Sequence, residues 1–377
     1  MDYSEFKGLK ISRLGFGMMR LPILDGDYGK IDLSTTAKMF DRAIQGGVNY
    51  FDTAWPYHNG ASETAAGEIL SKYPRGSYFL ATKFPGYDIP SFEKTEEIFA
   101  EQLRKCRTDY FDFYLMHNVD NADVGYYLDD AKYGHMAYFK KERDAGRIRH
   151  LGFSTHGSLD TMRRFLDAYA DVMEFCQIQL NWFDWKFQQA GEKVRLLKES
   201  GLPVWVMEPL RGGRLANLEK EDNDFLASKR AGSTAADWAF NFLRQLSDVV
   251  VILSGMSTPE VLESNLHCFN ETEPLSAGEL AALKQVEEKL AGSKTIPCTG
   301  CRYCVSHCPM EIEIPKMLTL CGELKMKGND YYIHNELELI PKEKRSDNCI
   351  GCRSCEEVCP QHIKISEEFA AFKPNPV

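Results

Sequence analysis

Eight of the twelve cysteines in this 377-residue chain fall into two runs of one spacing. The first is Cys298, Cys301, Cys304 and Cys308, followed by Pro309. The second is Cys349, Cys352, Cys355 and Cys359, followed by Pro360. Two-residue gaps let three successive thiolates wrap one face of a small inorganic cube. In such paired runs the fourth cysteine ligates the other cluster. The spacing therefore predicts two [4Fe–4S] clusters. One is held by Cys298, Cys301, Cys304 and Cys359, the other by Cys349, Cys352, Cys355 and Cys308. Thiolate is the soft ligand that iron–sulfur clusters take. A zinc site would use two spaced pairs and leaves the repeated Cys-Pro ending unexplained. Cys321, between the runs, has no matching partner and reads as a buried thiol.

A second set of chemistry-bearing residues lies earlier. Short apolar runs read as strands over Leu14–Gly17, Asn49–Thr53, Tyr78–Thr82, Phe111–His117, His150–Ser154, Phe175–Asn181, Val204–Glu208 and Val249–Gly255. Amphipathic stretches such as Ser62–Lys72, Phe92–Arg104, Leu159–Tyr169 and Thr234–Gln245 separate them. Eight βα repeats predict an α/β fold, a (β/α)8 TIM barrel over residues 1–292. A small, mainly α-helical two-cluster domain follows over 293–377. A doubly wound sheet is the competing architecture, but no early strand leads into its Gly-x-Gly-x-x-Gly turn. Active sites of barrels sit at the C-terminal ends of the strands. There this chain carries Asp52, Lys83, His117, Ser154, Gln177 and Asn181, with Tyr57 in the loop after Asp52. A tyrosine can protonate a carbonyl oxygen while a hydride reaches carbon. Its ordinary pKa of about 10 suits it poorly at neutrality, and a nearby ammonium lowers that value. Lys83 fits this role, Asp52 would hold Lys83, and His117 would orient the carbonyl or relay a proton. Taken singly, each is equally a helix cap, a solvated strand end or a core histidine.

Four segments resemble the aldo-keto reductases. They are Asn49–Ala54 with Tyr57, Ala81–Lys83, Asp109–His117 and Gly146–Ser154. The resemblance covers residues 8 to 290. It implies a catalytic tetrad of Asp52, Tyr57, Lys83 and His117. It also implies an NAD(P)(H) cofactor, with Ser154 and Gln177, and Asn181 in the matching segment, at the nicotinamide. Its phosphates would lie near the last two βα loops, where Ser257 and Thr258 open a helix whose N-terminus suits an anion. Asn265 matches a residue that contacts adenine. Met207 stands where many members stack an aromatic ring on the nicotinamide, with Glu208 beside it. Gly255 and Val261 stand where NADPH-preferring members carry basic residues, which leaves NADP against NAD undecided. The cysteine-rich tail resembles helical two-cluster ferredoxin modules of respiratory iron–sulfur subunits, and a subgroup of bacterial and archaeal reductases carries such a tail. Between its runs, Ile314, Met317, Leu318, Cys321, Leu324 and Met326 keep a helical period.

Together these readings imply an oxidoreductase acting on a small-molecule carbonyl or alcohol. A non-catalytic electron carrier or redox sensor on a reductase scaffold is the alternative. Hydride transfer moves electrons in pairs and each cluster moves one, so the clusters point to a redox partner protein or an adaptor, with a redox sensor or a structural staple for the tail as the other readings. A flavin would serve, though no flavin motif supports one. The net charge of −10, from 45 basic and 55 acidic residues, argues against a nucleic-acid partner. No run of apolar residues is long enough for a membrane span. The N-terminus lacks the basic start and apolar stretch of a signal peptide, so the expected location is cytoplasmic. Trp55, Trp182, Phe183 and Trp185 suggest an apolar substrate wall, and the acidic segment Asp120–Tyr133 reads as an inserted loop.

Overall fold

Strands buried on both faces read as continuous apolar runs, and this chain supplies eight of them. The computed structural model describes residues 1–120, 123–271, 273–292, 296–327, 333, 337 and 340–374. A hairpin of β1 (Tyr3–Phe6) and β2 (Leu9–Ser12) opens the chain. It is followed by β3 (Leu14–Gly17), β4 (Tyr50–Asp52), β5 (Phe79–Phe84), β6 (Phe111–Met116), β7 (Ile148–Thr155), β8 (Cys176–Gln179), β9 (Val204–Met207) and β10 (Val249–Ser254). These eight pair in parallel, and β10 closes on β3 to complete the expected barrel. No helix among the described residues is long and apolar enough to cross a membrane.

Alternate residues of a strand point to opposite faces, which sorts the core into two layers. Phe113 and Leu115 of β6 pack inside the barrel with Tyr50, Ala81, Phe175 and Trp205. Tyr114 and Met116 pack outside with Phe99 and Phe139 of the surrounding helices. The hairpin closes the N-terminal end. Phe6 meets His150 and Trp205 edge to face, each with centroids 5.1 Å apart. Helices are started by local caps. Asp32 accepts from the Thr35 amide at 3.0 Å, and Thr234 with Asp237 forms a capping box.

The strand bounds correct two placements. β5 runs on to Phe84, so Lys83 lies within the strand rather than beyond it. Gln177 is the second residue of β8, not its end. The segment expected as a loop after β6 folds into helices Val124–Leu128 and Asp130–Tyr133, with Tyr127 fully buried; residues 121 and 122 of that segment lie outside the described residues.

Two compact units divide the chain at Ala282 and Leu283, inside the helix Ala277–Gly292. The second unit carries helix Ile314–Lys327 and the short helices Ser354–Glu357 and Ile365–Ala371. Its own core includes Ile312, Met317, Leu318, Ile365 and Phe369. Cys321 is buried there, as expected; the side chain of Met326 lies outside the described residues.

Phe6→Ala should leave a cavity beneath Trp205 and destabilise the barrel by roughly 3–5 kcal/mol. Thermal unfolding followed by tryptophan fluorescence checks this; an unchanged midpoint would show that the hairpin is dispensable.

Candidate active site and cluster sites

A buried ammonium must be answered by oxygen, and three oxygens answer Lys83. Its side chain is fully buried. Nζ lies 2.5 Å from Asp52 Oδ1, 2.7 Å from Thr53 O and 3.5 Å from Tyr57 Oη. Asp52 ends β4, beside Ala81 of β5 in register. The strand bearing Lys83 is also held from outside. Gln102 Nε2 donates to Lys83 O at 2.9 Å and to Glu63 Oε1 at 2.7 Å, and Thr82 donates to the same Glu63 oxygen at 2.7 Å.

Tyr57 is fixed by the turn that follows it. His58 and Asn59 adopt φ of 53° and 54°, left-handed values that cost about 1 kcal/mol or more each for residues with a side chain. His58 secures the turn. Its Nε2 accepts from the Leu21 amide at 3.1 Å, which leaves Nδ1–H to donate to Tyr28 O at 2.7 Å. His117 follows β6. Its ring meets Tyr57 at 6.2 Å and Tyr87 at 5.3 Å, both edge to face. Tyr127 donates to His117 O at 2.8 Å. That approach depends on Gly86, where a Cβ would stand 2.1 Å from Tyr127 Oη.

The charges follow from burial and neighbours. Burial opposes the Lys83 ammonium, but Asp52 and Tyr57 outweigh it and raise its pKa. Burial also raises Asp52, with Lys83 pulling the other way; the two stand as an ion pair. Tyr57 departs from expectation. Lys83 does favour its phenolate, but burial is the larger effect and the phenol sits above its ordinary value. Burial, Lys83 and His156 all keep His117 neutral.

The expected cofactor residues divide. Ser154 and Gln177 are register neighbours on β7 and β8. Gln177 Oε1 is buried without a partner, an oxygen matched to a carboxamide N–H. Asn181 is occupied by the chain itself. It donates to Asp184 Oδ2 at 2.7 Å and to Glu208 O at 3.1 Å, and accepts from the Asp184 amide at 2.8 Å. These bonds tie the end of β8 to the segment after it and to Glu208. Asn265 likewise donates to Ser254 Oγ at 2.7 Å and steadies the end of β10. Met207 ends β9 half-buried. Ser257 and Thr258 are exposed, and Thr258 Oγ1 accepts from the Val261 amide at 3.3 Å as a cap. Of the aromatic residues, Trp182 and Phe183 are buried, Lys105 lies 3.9 Å over the Trp55 ring, and Trp185 packs on Phe242 at 5.8 Å. These contacts agree with ordinary packing of the four rings.

Sequence reasoning missed Arg20. It donates to Gly212 O at 3.2 Å, and a Cβ at Gly255 would stand 3.3 Å from its stem, so a guanidinium does stand by the last two βα loops. Glu208 also has a setting the sequence did not reveal. Burial and Asp184 push it up to about 7, against Arg20, Arg211 and Arg214.

In the second unit the cysteines gather as the spacing predicts. One concavity is lined by Cys298, Cys301, Cys304 and Cys359. The other is lined by Cys349, Cys352, Cys355 and Cys308. All twelve cysteines of the chain are free thiols. Burial foremost pushes Cys301 and Cys355 up to about 11, so iron must displace protons to bind there. Four cysteines line each concavity, the donor set that a [4Fe–4S] cluster takes. Cys359→Ser should then remove the cluster of the first run, and Cys308→Ser that of the second. Each variant should retain about half the iron, and which cluster survives reports the crossing. Anoxic iron analysis with EPR of the reduced protein reads this; loss of the second run's cluster in Cys359→Ser and of the first run's in Cys308→Ser would refute the crossing.

Comparison with known proteins agrees with both units. The Aldo/keto reductase family profile matches residues 13–288, and a 4Fe-4S dicluster domain profile matches residues 297–364. An aldo-keto reductase of Mycobacterium avium is 27% identical over 67% of this chain and 82% of its own. The NADH-specific methylglyoxal reductase of Escherichia coli is 24% identical over 75% of this chain and 96% of its own. Among solved structures, an aldo-keto reductase from Bacillus halodurans superposes with a TM-score of 0.62 at 23% identity, covering 76% of this chain and 96% of that one.

Proposed function

Because the chain belongs to the aldo/keto reductase family, we propose that its barrel reduces a small-molecule carbonyl with a nicotinamide nucleotide, Tyr57 giving the proton. The observation that carries this is the Lys83 ammonium, 2.5 Å from Asp52 and 3.5 Å from Tyr57 Oη. A bound nicotinamide supplies the hydride. The chain's own part is to position and to protonate. Tyr57 keeps its hydrogen at neutral pH, and an alkoxide is a much stronger base than phenolate, so proton transfer from Oη runs downhill. Lys83 then stabilises the phenolate left behind. Neutral His117 offers an N–H to the carbonyl oxygen.

Ser154 and the unpartnered Gln177 oxygen fit the nicotinamide carboxamide. Arg20 fits the phosphates, with Ser257 and Thr258 nearby. The two sets of four cysteines hold two [4Fe–4S] clusters that exchange electrons with a redox partner. On this reading the barrel domain runs through the helix Ala277–Gly292, as 1–292, and the iron–sulfur domain is 293–377. The assembled tetrad supports an enzyme over a carrier built on an idle scaffold.

Tyr57→Phe should cut kcat by a factor on the order of 10²–10⁴ while NADH and NADPH titrations are unchanged. Binding of neither nucleotide to the anoxically purified wild type would sink the proposal. Glu208 makes a pH prediction. It is neutral below about 7 and a carboxylate above, where it would repel a bound diphosphate. Nucleotide affinity should fall roughly fivefold as the pH passes that point, the weight of about 1 kcal/mol between charges in water. Glu208→Gln should remove the dependence, measured by fluorescence titration.

A further inference from the structure

The two cluster sites are built as copies, so their differences are informative. Around each run the chain repeats Gly-Cys-Arg-x-Cys and then Cys-Pro-x-x-Ile-x-Ile. The backbone repeats with it: φ is 73° and 69° at Gly300 and Gly351, and 68° and 62° at Arg302 and Arg353. Against this common frame the surroundings diverge. Ile350 stands where the first site has Thr299, and Met310 where it has Gln361. Ile350 is 65% exposed and Met310 37%; Thr299 and Gln361 are half-buried. Cys352 and Pro309 are exposed, while their counterparts Cys301 and Pro360 are half-buried.

The arginines differ in the same direction. Arg302 donates to both Glu313 oxygens, at 3.0 and 3.2 Å. Arg353 lies 3.8 Å from Glu367, and Glu367 also faces Lys364 at 3.6 Å. Arg353 and Lys364 also act on Glu356, so the Arg353 guanidinium is shared loosely beside an exposed apolar pair where Arg302 is gripped in a fork. Where the first site is polar and recessed, the second is apolar and open, with a loosely held arginine at its edge.

We propose that Met310, Ile350, Cys352 and Arg353 form the electron port, a docking face for a small one-electron carrier protein with an apolar centre and a carboxylate rim. This rests on the electron-transfer role proposed above. Each encounter moves one electron, the carrier losing what this protein gains or the reverse, and no proton or bond changes place. The apolar pair excludes water from the contact and Arg353 supplies complementary charge.

The test uses the full chain carrying both clusters, without oxygen. Cluster bleaching is timed by stopped flow with a reduced acidic two-[4Fe–4S] ferredoxin, and separately with reduced methyl viologen. M310Q/I350T gives the second site the residues of the first. It should slow the ferredoxin reaction at least tenfold and leave the dye reaction unchanged, whereas T299I/Q361M should slow neither. Arg353→Ala should flatten the salt dependence of the ferredoxin rate. An unchanged ferredoxin rate in M310Q/I350T, equal slowing with the dye, or wild-type clusters reduced by the dye alone would each overturn the port. Clusters reduced by neither donor would overturn the electron-transfer role itself.

Discussion

An ammonium buried among apolar strands is tolerated only where oxygens surround it, and Lys83 imposes that condition on the barrel. Asp52 must end its strand beside β5, Thr53 must turn its carbonyl inward, and Tyr57 must return from its loop. The cost reaches outward as well. Glu63, Thr82 and Gln102 form a second buried polar group that grips the backbone of Lys83 from the helix side. Removing one member of such a set leaves the others buried and unanswered, which costs more than the bond itself. The geometry around Lys83 is thus stabilised by the need to satisfy one charge.

The chemistry of the barrel mouth was largely legible because a polar residue interrupting a buried run is conspicuous. Asp52, Lys83 and His117 stand out in this way, and the cysteine runs are legible because their ligand spacing is local. What escaped depends on residues far apart in the chain. Arg20 reaches Gly212 across 192 positions, and nothing in either segment announces the other. Asn181 has the right residue type at the right strand, yet Asp184 and two backbone groups consume its hydrogen bonds. The direction of the Tyr57 shift could not be read either, since it is a contest between Lys83 and burial that only coordinates decide.

The two units present contrasting solutions to holding polar chemistry in a small volume. The barrel hides its titratable groups and balances them by hydrogen bonds. The cluster unit gathers eight cysteines around two concavities, where burial raises the Cys301 and Cys355 thiols, and energy of binding iron there is also folding energy. The left-handed arginines beside those sulfurs occupy a conformation usually left to glycine, and their charge offsets the anionic character that four thiolates bring.

Closure of the barrel between β3 and β10 also sets an order of events at the ribosome. The first barrel strand waits for a neighbour synthesised about 240 residues later, roughly 10–50 s at ordinary elongation rates of about 5–20 residues per second. During that interval the edge of β3 is unpaired and Phe6 has no finished pocket, a state that favours chaperone attention. The cysteine runs emerge after β10, when the chain needed to shut the barrel is already made. Iron–sulfur assembly factors would therefore meet the tail of a nascent chain whose reductase domain is already free to fold.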